Sequence, residues 1–265
     1  MTSKSISTSN RSQRPLCSIV IPAYNGAAYI RDALDSVKAQ GFCDFECIVI
    51  DDCSTDNTFD IANEYAKIDE RFIVLKNETS LFAAGSRNRG VESARGEYIA
   101  FLDCDDIFLP EKLETQLTLM RENDSVFSCT AYKLVDRELN SLGKIQHVSP
   151  VITFDELIKE NTIGCSTVMA KRELIKAHPF TNDFMHEDYV CWLDCVRDCG
   201  ELLGIDIPLT DYRFMDGTKS SNKLKSAMAT YSIYRKHLGL GIGKSSVLMY
   251  NYILRKLRKY KNMIR

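Results

Sequence analysis

The chain has 265 residues, 45% of them hydrophobic, and a formal net charge of −2. That is enough apolar length to bury a substantial core in one enlarged domain, or one domain plus a tail. Ten cysteines at irregular spacing, with no CxxC pair and no signal peptide, argue against a disulfide framework and for a reducing cytosol. No apolar run approaches the roughly 18 residues of a spanning helix.

Residues 1–14, rich in Ser, Thr and basic side chains, lack apolar periodicity and are expected to stay disordered. Cys17-Ser-Ile-Val-Ile predicts a strand ending at Pro22, then a turn at Asn25-Gly26 and a helix with apolar positions Ile30, Leu34 and Val37. A second strand is expected over 46–50, a helix carrying Ile61, Ala62, Tyr65 and Ala66, and a third strand over 71–75. A helix over 86–94 leads to an apolar strand over 98–102. Strand and helix alternate at βαβ spacing, so the fold class is α/β, a mainly parallel sheet with helices on both faces.

The rhythm changes after a helix over 111–123. Residues 125–135 are strand-like, 140–143 form a turn, and helical stretches at 154–159 and 171–177 flank a strand at 166–169. Tyr189-Val-Cys-Trp-Leu continues as a helix on which Cys191, Cys195 and Cys199 share a face, better suited to core packing than to a metal. Gly239-Leu-Gly-Ile-Gly follows no strand and is read as a hinge, not a dinucleotide fingerprint.

Carboxylates gather where two strands end. The second strand runs into Asp51-Asp52-Cys53-Ser54-Thr55-Asp56, and the strand over 98–102 runs into Asp103-Cys104-Asp105-Asp106. Three acids within four residues repel one another and resist desolvation, so the second cluster suits a hard divalent cation of the Mg²⁺ or Mn²⁺ kind. Ligands of open α/β sheets bind beyond the carboxyl ends of the strands, where both clusters lie. A solvated turn with an Asp helix cap is the competing reading of each.

The small net charge hides an asymmetry. No Asp or Glu follows Asp216, whereas residues 217–265 carry twelve Lys or Arg. From Tyr250 onward these cations mix with aromatic and aliphatic residues as in interfacial helices, which favours an anionic membrane surface over nucleic acid. Each such cation contributes about 1 kcal/mol near an anionic leaflet. A solvated helical tail is the alternative.

Four segments in order, Ser18-Ile-Val-Ile-Pro-Ala-Tyr-Asn-Gly, Ile48-Val-Ile-Asp-Asp-Cys-Ser-Thr-Asp-Asn-Thr, Ser86-Arg-Asn-Arg-Gly and Gly96-Glu-Tyr-Ile-Ala-Phe-Leu-Asp-Cys-Asp-Asp, resemble family two glycosyltransferases. Downstream, Ile163-Gly-Cys-Ser-Thr-Val-Met, His186-Glu-Asp-Tyr-Val-Cys-Trp-Leu and Tyr212-Arg213 followed by Ser220-Ser-Asn-Lys resemble the branch that builds bacterial O-antigen and teichuronic-acid-type surface polysaccharides. The resemblance implies a GT-A fold over residues 15–222, with a nucleotide-sugar half at 15–120, an acceptor half at 121–222 and a basic helical tail at 223–265. It also implies transfer with inversion at the anomeric carbon.

By that resemblance Pro22 and Tyr24 line the base pocket and Asp52 accepts the imide hydrogen of uracil. A π face and a carboxylate are suited to that base. Asp105 is the first choice of metal ligand, Asp103 faces the ribose or a metal-bound water, and Asp106 is a second candidate. Glu187-Asp188 supplies the base, with the role on Asp188 and Glu187 orienting the acceptor; helix N-terminal acids beside the macrodipole are the competing reading. Trp192 belongs to the core, or to a sugar-binding wall.

Arg213 and Lys223 are expected at the diphosphate or as solvated cations, and Arg87, with Asn88, at the donor or as a helix-positioning pair. Many relatives place His just after the Tyr-Arg pair, where this chain has Phe214-Met215. The expected reaction moves a hexose from UDP-glucose or UDP-galactose to a saccharide on a polyprenyl diphosphate, at the cytoplasmic face of the plasma membrane and peripherally attached. A nucleotidyltransferase is the enzymatic alternative, though Pro22-Ala-Tyr-Asn-Gly is no phosphate loop, and an inactive nucleotide-binding membrane scaffold is the non-enzymatic one.

Overall fold

The computed structural model describes residues 14–214 and 223–263, with side chains for 14–214 and 224–255. The expected N-terminal arm, Met215, the Ser220-Ser-Asn segment and the side chain of Lys223 lie outside the described residues. The first half alternates as its sequence suggests: β1 (Cys17–Ala23), α1 (Ile30–Lys38), β2 (Phe45–Asp51), α2 (Thr58–Ile68), β3 (Phe72–Lys76), α3 (Phe82–Ser93) and β4 (Tyr98–Phe101). These strands are parallel in the order β3-β2-β1-β4.

The second half extends the sheet with antiparallel pieces. It comprises β5 (Ile107–Phe108), α4 (Lys112–Glu122), β6 (Phe127–Val135), β7 (Ser141–Gln146), β8 (Val151–Thr153) and α5 (Phe154–Leu157). A 3₁₀ turn (Cys165–Thr167) precedes β9 (Met169–Lys171), α6 (Arg172–Ala177), α7 (Glu187–Cys199) and β10 (Glu201–Arg213). The described sheet runs β3-β2-β1-β4-β9-β6-β10-β5, with β7 on β6 and β8 on β10. β9 is antiparallel to both β4 and β6, whereas β10 is parallel to β6.

Strand periodicity sorts the core into two layers, because alternate side chains face opposite sides of the sheet. Val20, Ile48, Ile50, Ile99 and Phe101 pack with Val91 of α3 and Trp192 of α7. Ile19, Ile21, Cys47, Val49 and Ala100 pack with Leu34 and Val37 of α1 and Leu113 and Leu117 of α4. Gly90 lets α3 lie close on the sheet, since a Cβ there would stand 2.4 Å from Val20 Cγ1 and 2.8 Å from Ile50 Cδ1. Trp192 is fully buried against Phe101, Phe127 and Phe180, with ring centroids 5.5–5.8 Å away, so it is core rather than a sugar wall. The ten cysteines are all free, and Cys191 and Cys195 are buried.

Two parts of the second half differ from the sequence expectation. β10 is a 13-residue strand, obscured because Gly204 and Pro208 interrupt its sequence; its pairing with β6 shifts register on both sides of Pro208, where a bulge tolerates proline. The residues beyond 222 are not simply an appended tail. There α8 (Lys223–Ser232) continues into a π-helical turn (Ile233–His237), and α9 (Ile242–Met263) begins within the glycine-rich segment read from the sequence as a hinge. Ile233 and Tyr234 are fully buried, and Tyr234 Oη donates to the Ile158 carbonyl at 2.7 Å, so this segment completes the core over α5 and α7.

Candidate active site

At the donor end, the loop after β1 is built by the loop after β2. The backbone N–H groups of Asn25, Gly26 and Ala27 donate to Ser54 Oγ, Thr58 Oγ1 and Asp56 Oδ2 at 3.0, 2.8 and 3.1 Å. Thr55 N returns a bond to Asn25 Oδ1 at 2.8 Å. The polar run after β2 thus fixes the turn that follows Tyr24. Tyr24 itself is 60% exposed, its ring open to a planar ligand, and Pro22 beneath it is half-buried.

Asp52 is buried and accepts from Asn77 Nδ2 at 2.6 Å, Leu81 N at 2.7 Å and Ser80 Oγ at 2.7 Å. Burial works against its charge, yet these bonds hold the carboxyl below the usual range. With about four lone-pair sites on a carboxylate, three internal donors leave Asp52 room for a further one. Its settled work is to anchor the loop between β3 and α3.

The acid cluster after β4 divides by direction. Asp103 is partly exposed, with its carboxylate toward a cleft and its backbone N–H on Ser166 Oγ at 3.0 Å. Burial, then the charge of Asp103, pushes Asp105 up to about 6. Asp106 is turned inward: it is 1% exposed, and its two oxygens accept from Ser166 Oγ at 2.5 Å and Arg213 N at 3.0 Å. Burial, then Asp105 and Asp103, holds the Asp106 carboxyl well above the usual range. The second metal candidate is therefore a structural acid.

Arg213 also has a role other than those expected. Its guanidinium is buried, donating from Nε to the Asp105 carbonyl at 2.8 Å, from NH2 to Asp32 Oδ2 at 2.9 Å and from NH1 to the Arg137 carbonyl. It stacks over Tyr29, 4.8 Å from the ring centroid. Arg213 is thus neither a solvated cation nor a free phosphate donor but the clamp that joins the end of β10 to the acidic loop.

The cleft beside Asp103 encloses about 460 Å³ and receives Glu187 and Asp188 from the first turn of α7. Arg87 of α3 lies between the two acidic sites. Its side chain is 6% exposed; NH2 donates to Asp103 Oδ1 at 2.7 Å and NH1 to Glu187 Oε1 at 3.1 Å. Burial disfavours that charge, and neighbouring negative groups, Asp103 and Glu187 among them, more than restore it. Asn88 positions the adjoining segment, exchanging two hydrogen bonds of 2.8 and 2.9 Å with the backbone of Phe180. The pair Arg87-Asn88 therefore organises the site.

Asp188 has no ion pair among the described residues, and its Oδ1 accepts from Tyr189 N at 2.7 Å. Burial, then the charge of Glu187, pushes its carboxyl up to about 6, against the opposing pull of Arg87. Tyr132 and Tyr212 add adjacent rings to the cleft, 5.2 Å apart. Tyr132 and the part played by Ser166 were not legible as site features. Ser166 lies inside the quoted Ile163–Met169 segment, but only its bonds to Asp103 and Asp106 disclose its use.

A family comparison matches residues 18–178 to "Glycosyl transferase family 2". The chain belongs to that family and is a glycosyltransferase. TuaG of Bacillus subtilis (strain 168), whose name places it provisionally in teichuronic acid biosynthesis, is 37% identical over 246 residues, covering 93% of this chain and 98% of TuaG. The Escherichia coli UDP-Glc:alpha-D-GlcNAc-diphosphoundecaprenol beta-1,3-glucosyltransferase WfgD is 34% identical over 254 residues, covering 93% and 97%. The crystal structure of S. aureus TarS 1-349 with UDP-GlcNAc superposes with a TM-score of 0.71 at 21% identity, over 89% of this chain and 71% of that one. The fold is GT-A, as its first half suggested.

Proposed function

We propose that this glycosyltransferase moves glucose, or its epimer galactose, from the UDP-sugar to a saccharide carried on a polyprenyl diphosphate, inverting the anomeric centre, in assembly of a bacterial surface polysaccharide. The observation that carries the reading is Asp188: a carboxylate in the cleft with no ion pair among the described residues, raised to about 6 chiefly by burial and therefore suited to accept a proton near neutrality. The activity for which WfgD is named supports the donor and the lipid-linked acceptor, and the UDP-GlcNAc complex of TarS supports a UDP-sugar in this fold.

In this scheme the Tyr24 ring stacks on uracil, Pro22 lines the same pocket, and Asp52 has a lone pair left for the imide. The acceptor hydroxyl gives its proton to Asp188 as its oxygen attacks the anomeric carbon; the bond from that carbon to the diphosphate breaks, and UDP leaves. Glu187, held by Arg87, borders the acceptor.

The oxygen donors of Asp103 and Asp105, just beyond β4 with Asp103 facing the cleft, would suit a hard divalent ion shared with the diphosphate. Among the described residues no group of three His, Cys, Asp or Glu side chains is placed to hold a metal ion. A Mg²⁺ or Mn²⁺ ion held by Asp103 and Asp105 would neutralise charge on the leaving group.

The test is transfer from a panel of radiolabelled UDP-sugars to a synthetic GlcNAc-diphospho-lipid, with Mn²⁺ or Mg²⁺ and with EDTA. Product from one donor, lost with EDTA, is expected. UDP binding without transfer from any donor would favour a different acceptor or an inactive scaffold. Asp105→Ala should lose the metal-dependent part of UDP affinity by calorimetry; equal affinity with and without metal in the native protein would remove the ion from the scheme.

A further inference from the structure

We propose that the outer faces of α8 and α9 dock on an anionic lipid bilayer and bring the acceptor cleft to the membrane surface. The second clause rests on the lipid-linked acceptor proposed above; the first does not.

Both helices are two-sided in an unusual way. Their inner faces serve the protein: Ser226 and Thr230 of α8 and Tyr252 of α9 line the cleft, while Ser245 and Leu248 of α9 are buried. Helical period puts the intervening residues outward, where a surface helix ordinarily shows polar side chains. Here the outward residues include large apolar ones. Leu224 and Met228 of α8 are 72% and 66% exposed, and Val247, Tyr250 and Ile253 of α9 are 61%, 64% and 45% exposed. Grouped exposed apolar side chains of this kind mark an interaction surface.

Charge selects the occupant. Lys244 and Arg255 are exposed beside these residues, and the α9 sequence adds Lys256, Arg258, Lys259 and Lys261 without an acid. Apolar side chains with flanking cations match the headgroup boundary of an anionic leaflet. A second copy would set one cationic face against another, and nucleic acid has no use for the aliphatic residues. No described helix is long and apolar enough to cross a membrane, so contact at the boundary is the mode that fits. Because the same two helices line the cleft from within, docking their outer faces places its lining beside the lipid.

The full chain and the variant Val247→Ser/Tyr250→Ser/Ile253→Ser are sedimented with vesicles of phosphatidylcholine alone or mixed with phosphatidylglycerol. Circular dichroism and melting verify that the exposed changes leave the fold intact. The native chain should pellet with the anionic vesicles only and be released by salt. The variant should partition about tenfold less. Its transfer to a short-chain, water-soluble acceptor should match the native chain, while transfer to a long-chain acceptor in anionic vesicles falls. Lys244→Glu/Arg255→Glu should weaken vesicle binding without touching the apolar residues.

Equal partitioning of the native chain and the triple variant, or equal binding to both vesicle types, would overturn the proposal. A native dimer that the triple variant dissociates would assign the face to a second copy and overturn it too. Vesicle binding lost by the variant, together with no transfer to either acceptor by the native chain, would uphold the docking and reject the proposed function.

Discussion

Asp188 is costly to ionise where it sits. A carboxyl raised from 3.8 to about 6 binds its proton more tightly in the folded chain than in the unfolded one. Its contribution to stability is therefore fully present below about pH 4 and lost as pH rises through about 6, a penalty on the order of 3 kcal/mol at neutrality. Asp188→Asn should melt higher than the native chain at pH 7.5, with the gap closing near pH 4; a lower melting temperature at pH 7.5 would contradict the assignment. Arg87 is tested by its geometry, because two nitrogens of one rigid fork reach two carboxylates and a lysine cannot reproduce that. Arg87→Lys should reduce kcat roughly 10–100-fold while leaving the pH midpoint of activity near that of the native chain. An unchanged kcat would show that the bridge positions nothing. Both residues were legible as site candidates through their motifs, but the contacts of Arg87 join positions 16 and 100 residues apart, which no local pattern carries.

The acidic loop is set by elements that read poorly in sequence. Arg213 ends β10, and its bonds to Asp105, Arg137 and Asp32 join three separate segments of chain. Arg213→Met should destabilise the protein by roughly 2–3 kcal/mol, chiefly because two carbonyls lose their donor, the half-exposed Asp32 being rehydrated. It should also weaken metal-dependent UDP binding by disturbing Asp105. Urea unfolding and calorimetry read the two effects separately; a stability change under about 1 kcal/mol would mean that the loop holds itself. The parallel strands β1 to β4 were legible because continuous apolar runs between helices leave few alternatives. β10 was not, because glycine and proline inside a strand imitate a loop until the bulged pairing is seen. The Tyr-Arg motif likewise named the residue and not the direction of its side chain.

The whole molecule is closed by the part that composition set apart. Twelve cations without an acid suggested a basic helical tail apart from the body, yet the aromatic residue that fixes α8 and its π-helical turn, Tyr234, is fully buried. Charge counting locates the difference between the two parts of the chain but is blind to one buried side chain within it. Tyr234→Ala should cost roughly 3–5 kcal/mol in urea unfolding, by cavity formation and loss of the bond to the Ile158 carbonyl. A cost under about 1 kcal/mol would return the segment to the status of an appendage. If the proposed docking holds, membrane contact and core completion share this segment, one role on each face.

The most direct measurement of the central claim compares Asp188→Asn with the native enzyme, following UDP affinity by calorimetry and sugar transfer by product formation across pH. The account predicts near-native UDP affinity in the variant with transfer abolished, and a native kcat/KM that falls as pH drops through about 6. Transfer by the variant at a rate near that of the native enzyme, or parallel loss of UDP binding and transfer, would contradict the assignment of Asp188 as the base.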